Sequence, residues 1–223
     1  MRIRHLTLPS PDPEACIAFF HDVLQVPTDD MTARLGWTDV NVVPGDAGTG
    51  VVHLAFNIPP ERFGTACEWL QDRALILRNP TGEDRFRLAG SWQSRSVYFA
   101  GPHGAVFELI ARDALASTGH VTGPFHGEEI LCVSEVGLPA DHVPTLVGDL
   151  VAGFGMAPFG EGSDVFAPVG DHEGLLILVE KSRRWFPEAT QLPGAFGVRM
   201  AIEGVARQGH YADTHGWLIS ADA

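Results

Sequence analysis

The feature of this sequence that most restricts its fold is an internal repeat. The first unit has a strand-like segment at 3–8, an amphipathic helix opened by Asp12 and Pro13, and strands over 33–43. The same order of elements recurs over 51–111, where the segment AVFELIARD aligns without a gap with TDVNVVPGD of the first unit. A repeat of this length decides the architecture before any local pattern does. We expect the two units to pack with approximate twofold symmetry.

The repeat continues into the second half of the chain. HLTLP at 5–9 matches EVGLP at 135–139 in pattern, so a third unit begins at about Glu128. FGVRMAIEG at 196–204 resembles VVHLAFNIP and starts a fourth unit, with nineteen residues after Gly204. We therefore predict an α+β fold of paired βαβββ modules that form curved mixed sheets, with four modules of which the last is truncated.

A glycine-rich polar loop at 117–129 is the natural boundary between the two halves. We predict an N-terminal domain over 1–116, with two modules and the functional site, and a degenerate C-terminal domain over 128–223. The composition agrees with such a sheet-rich protein, since 25 glycines and 16 prolines accompany 45% hydrophobic residues.

Charge and cysteine content exclude several classes of function. The net charge of −13 leaves no basic patch for nucleic acid or for anionic lipid. The three cysteines are odd in number and far apart, which argues against a disulfide framework. No apolar run approaches the length of a membrane span, and the first residues lack the apolar region of a signal peptide. We expect a cytoplasmic protein.

Glu108 is the residue that points to chemistry, because it interrupts the apolar strand AVFELIA. A buried carboxylate needs a cation or a hydrogen-bonded partner. Aligning the first two units pairs His5 with His53 and Asn41 with Glu108. If equivalent strands converge, two imidazoles and one carboxylate surround one point, as in the facial two-His, one-carboxylate metal site. We predict a divalent metal held by His5, His53 and Glu108; the alternative is a metal-free cup with hydrogen-bonded histidines.

The paired units, the opening HLTLPSPDPEACIAFFHDVLQV, the strand HLAFNIP and the ending GPHGAVFELI resemble the vicinal oxygen chelate superfamily. That group contains glyoxalase I, extradiol dioxygenases, fosfomycin resistance enzymes and bleomycin-binding proteins. The resemblance covers 1–113 well and 128–223 more weakly. It implies metal ligands on the first and last strands of a module, which matches His5, His53 and Glu108.

The resemblance implies several activities without choosing among them. Asn41 stands where similar glyoxalases have a carboxylate, and a His/His/Glu set is more like extradiol dioxygenases. We expect metal-dependent chelation of a small substrate through vicinal oxygens, with dioxygenase-like or glyoxalase-like lyase or isomerase chemistry and Fe, Mn, Zn, Ni or Co as the cation. The alternative is a metal-free protein that binds or sequesters a small molecule such as a drug. In the second half, the matching positions are Glu135, Arg199 and Leu218 or Ile219, which do not rebuild the triad.

Aromatic residues of the second unit are the candidates for substrate contact. We expect Trp92 and Phe86 to bind substrate together with Asn41, and Tyr98 to act as a catalytic acid, base or hydrogen-bond donor beside Glu108. Phe86 also suits a core position. The segment KSRRWFPEA (181–189) gathers cations beside aromatic residues and is either an anion-binding arm or a packed loop with solvated arginines. The expected partners are a small-molecule substrate and a second copy of the chain.

Overall fold

The protein contains fourteen strands and three α-helices within the residues that its computed structural model describes, which are 1–46, 48–117, 119 and 122–221. The helices are α1 (Pro13–Ala18), α2 (Phe63–Gln71) and α3 (Val143–Phe154). The strands are β1 (Arg2–Ser10), β2 (Thr28–Asp29), β3 (Thr32–Leu35), β4 (Thr38–Pro44), β5 (His53–Ile58), β6 (Arg85–Leu88), β7 (Ser94–Ala100), β8 (Val106–Arg112), β9 (Cys132–Ala140), β10 (Phe166–Asp171), β11 (Gly174–Glu180), β12 (Arg199–Glu203), β13 (Gly209–Ala212) and β14 (Leu218–Ala221).

Local signals account for the helix ends. Asp12 caps α1 through a hydrogen bond from the Ala15 amide to its Oδ1 at 3.0 Å, and Pro13 occupies the first turn, as predicted. A wider π-type turn then extends this helix to Val23. The helix α3 ends at Phe154 and is followed by Gly155, whose φ of +69° is the left-handed conformation that glycine adopts at helix ends.

The strands form two seven-stranded mixed sheets. The first sheet has the order β13-β14-β12-β1-β4-β3-β2, and the second has the order β10-β11-β9-β5-β8-β7-β6. Strand, helix and strands recur along the chain, so the predicted α+β fold of paired modules with curved mixed sheets is confirmed. The predicted domain boundaries at 1–116 and 128–223 stay a prediction, and each sheet combines strands from both ranges.

The modules pair differently from the expected arrangement. We expected the first module to converge with the second. Instead β1 of the first module pairs antiparallel with β12 of the fourth, and β5 of the second pairs antiparallel with β9 of the third. The first two modules therefore contribute to opposite sheets, and their equivalent strand positions do not face a common cavity.

The two sheets differ in how their faces are covered. A large apolar core lies against both sheets and includes Leu6 and Met200 of the first sheet and Leu54 and Leu138 of the second. A smaller apolar cluster, which includes Trp185, lies against the second sheet. Consequently every residue of β8 and β9 is buried, whereas β4 alternates between buried and more exposed residues.

Two expectations from composition can be compared with the structure. Cys16, Cys67 and Cys132 are all buried free thiols, which agrees with the expected lack of a disulfide framework. The longest helix in the described ranges has 12 residues, and none of the helices there has the length and apolar character needed to cross a bilayer.

Candidate metal centre and substrate cavity

Three side chains from neighbouring strands of the second sheet meet at one point. Ala55 of β5 lies opposite both Glu108 of β8 and Glu135 of β9. His53 lies two residues before Ala55 and therefore on the same face of β5. Its Nε2 atom is 3.8 Å from Oε2 of Glu108 and 3.9 Å from Oε2 of Glu135. The three groups are almost completely buried.

The imidazole of His53 is oriented by the backbone and by an aromatic neighbour. Its Nδ1 atom donates to the carbonyl oxygen of Val106 at 3.0 Å, which directs Nε2 toward the two carboxylates. The ring of Trp185 lies 4.9 Å away, between centroids, and its Nε1 donates to the carbonyl of Val51 at 3.0 Å. The side chain of His53 is thus held with one ring nitrogen free to bind a cation.

Glu108 lies in a pocket of hydroxyl groups. The hydroxyls of Ser96 and Tyr98 donate to its carboxylate, which favours the charged form. Burial and the nearby charge of Glu135 outweigh those bonds and raise the pKa of Glu108 to about 7. The same burial and the same two carboxylates hold the pKa of Tyr98 well above its usual value. Glu108 therefore changes protonation near neutral pH, and Tyr98 remains a neutral donor.

Burial and the two carboxylates act in opposite directions on the pKa of His53. Burial disfavours the charged ring, but the nearby carboxylates of Glu135 and Glu108 and the hydrogen bond to the Val106 carbonyl raise the pKa above its usual value. The two carboxylates that face Nε2 therefore favour the charged form of the imidazole.

Glu135 forms an ion pair with a buried arginine. Nη2 of Arg112 donates to Oε1 of Glu135, and Nε of Arg112 donates to Oδ1 of Asn57 at 3.2 Å. The guanidinium also lies over the rings of Trp92 and Phe159, at 5.5 and 5.9 Å from their centroids. Since Arg112 binds one oxygen of Glu135, the other oxygen is left facing His53.

This donor set fits one divalent cation. One ligand atom from each of His53, Glu108 and Glu135 lies within 4.8 Å of the other two. A free imidazole nitrogen and two carboxylate oxygens are ordinary metal ligands, and Arg112 offsets one of the two negative charges. In the third module, the residue that corresponds to Glu108 is the apolar Ile177. It pairs with Gly137 of β9, as Glu108 pairs with Ala55 of β5. Three protein ligands would therefore leave coordination positions for a substrate.

The cluster forms the floor of a cavity of about 410 Å³. Its lining includes six aromatic and six charged residues. Phe186 is 41% exposed and lies at the mouth, whereas His53, Glu108 and Glu135 are 5% exposed or less. Trp92, Tyr98 and Phe86, which we expected to contact a substrate, all line this cavity. The remaining aromatic walls are Phe166, Trp185 and Phe186.

His5 and Asn41 do not lie at this site. Both belong to the first sheet, where His5 is next to Asp39 in the register and Asn41 lies opposite Thr7. The side chain of His5 is 69% exposed, and its Nδ1 atom is 3.8 Å from Oδ2 of Asp39. The expected convergence of His5 with His53 and Glu108 is therefore not observed, because the first module pairs with the fourth. Metal binding by His5 and substrate binding by Asn41 have no support from this arrangement.

The sequence reasoning missed Glu135 and Arg112. The sequence alignment pairs Glu135 with His5 across the two halves, but Arg199 and Leu218 or Ile219 offer no further ligands, so the alignment does not predict Glu135 as a ligand. The signal was the acidic residue at the start of EVGLP, in a strand that is otherwise as apolar as the one holding Glu108. Arg112, at the end of β8, is a second charged residue in a buried strand and supplies the countercharge.

Comparisons with known proteins identify the fold. No family model matches the sequence, and no curated protein matches it. Among solved structures, a Bacillus subtilis protein provisionally named a dioxygenase matches 100% of this chain and 85% of its own, with a TM-score of 0.62 and 15% identity. The V278E variant of glyoxalase I from Zea mays matches 99% of this chain and 91% of its own, with a TM-score of 0.58 and 14% identity. The structural resemblance expected from the repeated modules is confirmed, and this chain has the fold of the vicinal oxygen chelate superfamily.

Proposed function

We propose that this protein is a metal-dependent enzyme that holds one divalent cation with His53, Glu108 and Glu135 and acts on a small molecule with two vicinal oxygens. The observation that carries the proposal is the convergence of these three side chains within 4.8 Å at the buried floor of an aromatic cavity. Buried acidic groups in this number are otherwise costly, and a cation compensates them. The names of the two structural neighbours, a dioxygenase and a glyoxalase I, belong to the same range of chemistry.

The composition of the donor set favours glyoxalase-like lyase or isomerase chemistry over the dioxygenase alternative. Iron-dependent oxygenases typically use two histidines and one carboxylate, whereas this site has one histidine and two carboxylates. When bound, a divalent cation supplies Lewis-acid polarisation of the oxygens that coordinate it. Mn, Zn, Ni, Co and Fe all suit a mixed nitrogen and oxygen set.

The protein's own residues are arranged to move a proton beside such oxygens. In the metal-free protein, burial and the charge of Glu135 raise the pKa of Glu108 to about 7, so this carboxyl group exchanges a proton at neutral pH until it binds the cation. The hydroxyl of Tyr98 stays protonated and can donate a hydrogen bond to an oxygen that gains negative charge. Arg112 fixes one oxygen of Glu135, and Trp185 packs on the ring of His53, so both groups keep their orientation while the substrate changes.

The test is to measure metal content and turnover on the same preparation. Metal-free protein is equilibrated anaerobically with Mn(II), Fe(II), Co(II), Ni(II) or Zn(II) and assayed for bound metal. It is then assayed for isomerisation of the methylglyoxal–thiol adduct and for oxygen uptake with catechols. We expect one metal per chain and metal-dependent turnover of an adduct of the first kind. A protein that binds none of the five metals stoichiometrically contradicts the proposal.

A second function is favoured by the charge balance of the cluster without a metal. Arg112 pairs with Glu135, and the pKa of Glu108 is about 7, so only part of the acidic charge lacks a countercharge in the metal-free protein. This agrees with the alternative of a metal-free small-molecule or drug-binding protein. Tight ligand binding to the metal-free form without any turnover would favour it. Under either function, a small-molecule partner, a homodimer and a cytoplasmic location remain predictions.

A further inference from the structure

The loop that follows β11 brings an arginine to the wall of the cavity. Arg183 is half-buried, lines the cavity and places its guanidinium carbon 4.8 Å from the centroid of the Phe166 ring. Neighbouring cations of the same loop are engaged elsewhere: Nζ of Lys181 is 2.6 Å from Oδ1 of Asp141, and Arg184 donates to the carbonyl of Thr190. Arg183 thus fits the expected anion-binding arm, whereas Lys181 and Arg184 have partners outside the cavity.

The guanidinium of Arg183 is not matched by an acidic partner. Within the described part of the chain, no carboxylate lies within 4.0 Å of it and its side chain makes no hydrogen bond. Burial lowers the pKa of Arg183 from its usual value, but an arginine remains charged at any physiological pH. The guanidinium of a half-buried arginine that faces a cavity pairs well with a carboxylate or a phosphate group.

Two further arginines line the cavity, Arg85 and Arg87 of β6, but both are exposed, whereas Arg183 is half-buried. Glu108 and Glu135 occupy the floor and repel an anion there. Glu83 is near the mouth but accepts a hydrogen bond from Nδ2 of Asn79 at 2.6 Å. Arg87, on β6, is exposed and lies 3.9 Å from Asp113. An anionic group is therefore favoured at the mouth beside Arg183 and disfavoured at the floor.

We propose that Arg183 binds an anionic group of the substrate, so that the substrate class is an apolar, preferably aromatic, anion whose metal-chelating oxygens lie at the end opposite the negative charge. The aromatic walls hold the body of the molecule, and Arg183 sets its direction. The chelating end rests on the proposed function, whereas the preference for an anion is a property of the cavity without any metal.

The test uses a pair of probes of nearly equal shape and no chelating oxygens, 2-naphthoate and 2-naphthamide. Their affinities for the metal-free full-length protein are measured by calorimetry. A charge-assisted hydrogen bond predicts that naphthoate binds about tenfold more tightly than naphthamide. In Arg183→Gln the two affinities become equal while that of naphthamide is unchanged, and Arg183→Lys keeps part of the preference. Lys181→Gln, which removes one positive charge from the same loop, leaves the tenfold ratio intact.

Each other outcome contradicts the inference. Equal affinities in the unmodified protein, no binding of either probe, or a preference that survives in Arg183→Gln would show that Arg183 does not select anions. Failure of the metal-binding proposal is seen separately, because metal content is measured by dialysis without these probes. A circular dichroism spectrum and melting temperature for each variant show whether a lost preference reflects unfolding.

Discussion

Arg112 shows how one residue balances the charges of the candidate metal centre. Its side chain is completely buried and pairs with Glu135, while Glu108 lies beside the hydroxyls of Ser96 and Tyr98 and the ring of His53. The two carboxylates and the arginine sum to one negative charge, the same as in a site with one carboxylate and neutral histidines. The candidate metal centre therefore has the net charge of a two-histidine, one-carboxylate site, although its residues are one histidine, two glutamates and one arginine.

Histidine substitutions separate the observed cluster from the arrangement expected from the repeat. His53→Ala removes a buried ligand nitrogen, so we expect metal affinity to fall at least a hundredfold, whereas His5→Ala leaves it unchanged because His5 is exposed on the first sheet. Equilibrium dialysis with the preferred metal measures both. His5→Ala is the matched control, and a loss of metal in that variant would restore His5 as a ligand and contradict the cluster.

The protonation of Glu108 predicts a dependence of stability on pH. Its pKa is 4.5 in an unfolded chain and about 7 in the folded metal-free protein, so the folded state holds the proton more tightly. The stability associated with that proton is fully present below pH 4.5 and is lost as the pH rises toward 7, by about 3 kcal/mol. The raised pKa of His53 acts in the same direction at higher pH.

Urea unfolding of the metal-free protein at pH 5.5 and pH 8 measures this change. Glu108→Gln mimics the protonated acid, so we expect its free energy of unfolding to vary less between the two values and to exceed that of the unmodified protein at pH 8. Saturating metal should also reduce the loss, since cation binding replaces the proton. A metal-free protein that is more stable at pH 8 than at pH 5.5 would be inconsistent with a buried, partly protonated Glu108.

At the scale of elements, strand β9 determines the site as much as β5 does. It supplies Glu135 and places Gly137 against the ring of Trp185 and the base of His53. A Cβ atom on Gly137 would lie 2.5 Å from the Trp185 ring and 3.0 Å from Cβ of His53. This glycine is thus required by close approach rather than by backbone conformation.

A substitution at Gly137 tests that packing. Gly137→Val displaces the Trp185 ring from His53, so we expect metal affinity and probe affinity in the cavity to fall at least tenfold and the free energy of unfolding to fall by about 2 kcal/mol. Gly148→Ala is the matched control, because a Cβ there contacts nothing within 4 Å and the residue is exposed in α3. It should stabilise the protein by about 0.5–1 kcal/mol and leave metal binding unchanged. Unchanged metal binding in Gly137→Val would show that Trp185 does not position His53.

At the scale of the whole molecule, the chain joins its modules first to fourth and second to third. Each half therefore leaves an unpaired strand in both sheets: without the second half, β1 lacks β12 and β5 lacks β9. The large apolar core also draws residues from both halves. Neither half can bury its apolar faces in the observed way by itself.

Separated halves provide the corresponding experiment. We expect residues 1–116 and 117–223, produced apart, to lack a cooperative unfolding transition and to bind no metal, because Glu135 and its partner Arg112 lie in different halves. Mixing the two should restore a folded complex with one metal site, measured by circular dichroism and dialysis. A monomeric 1–116 fragment that folds and binds metal would instead support an independent N-terminal domain.

Much of the fold was predictable because its signals are local. The cap at Asp12, the apolar stripes of the helices and the recurrence of strand, helix and strands follow from side-chain spacing along a short segment. That Glu108 requires a partner also follows from its neighbours in sequence, since an isolated buried carboxylate is costly. Trp92, Tyr98 and Phe86 were identified with the same module and line the cavity.

The sequence by itself determined the modules, their helices and strands, and the presence of a buried acid that needs compensation. Only the tertiary structure decided which modules meet, and therefore that Glu135 and not His5 lies beside His53 and Glu108. The physical reason is the repeat itself. Modules of similar pattern offer similar strand edges, so the choice of partner depends on contacts summed over residues far apart in the chain, which no local pattern contains.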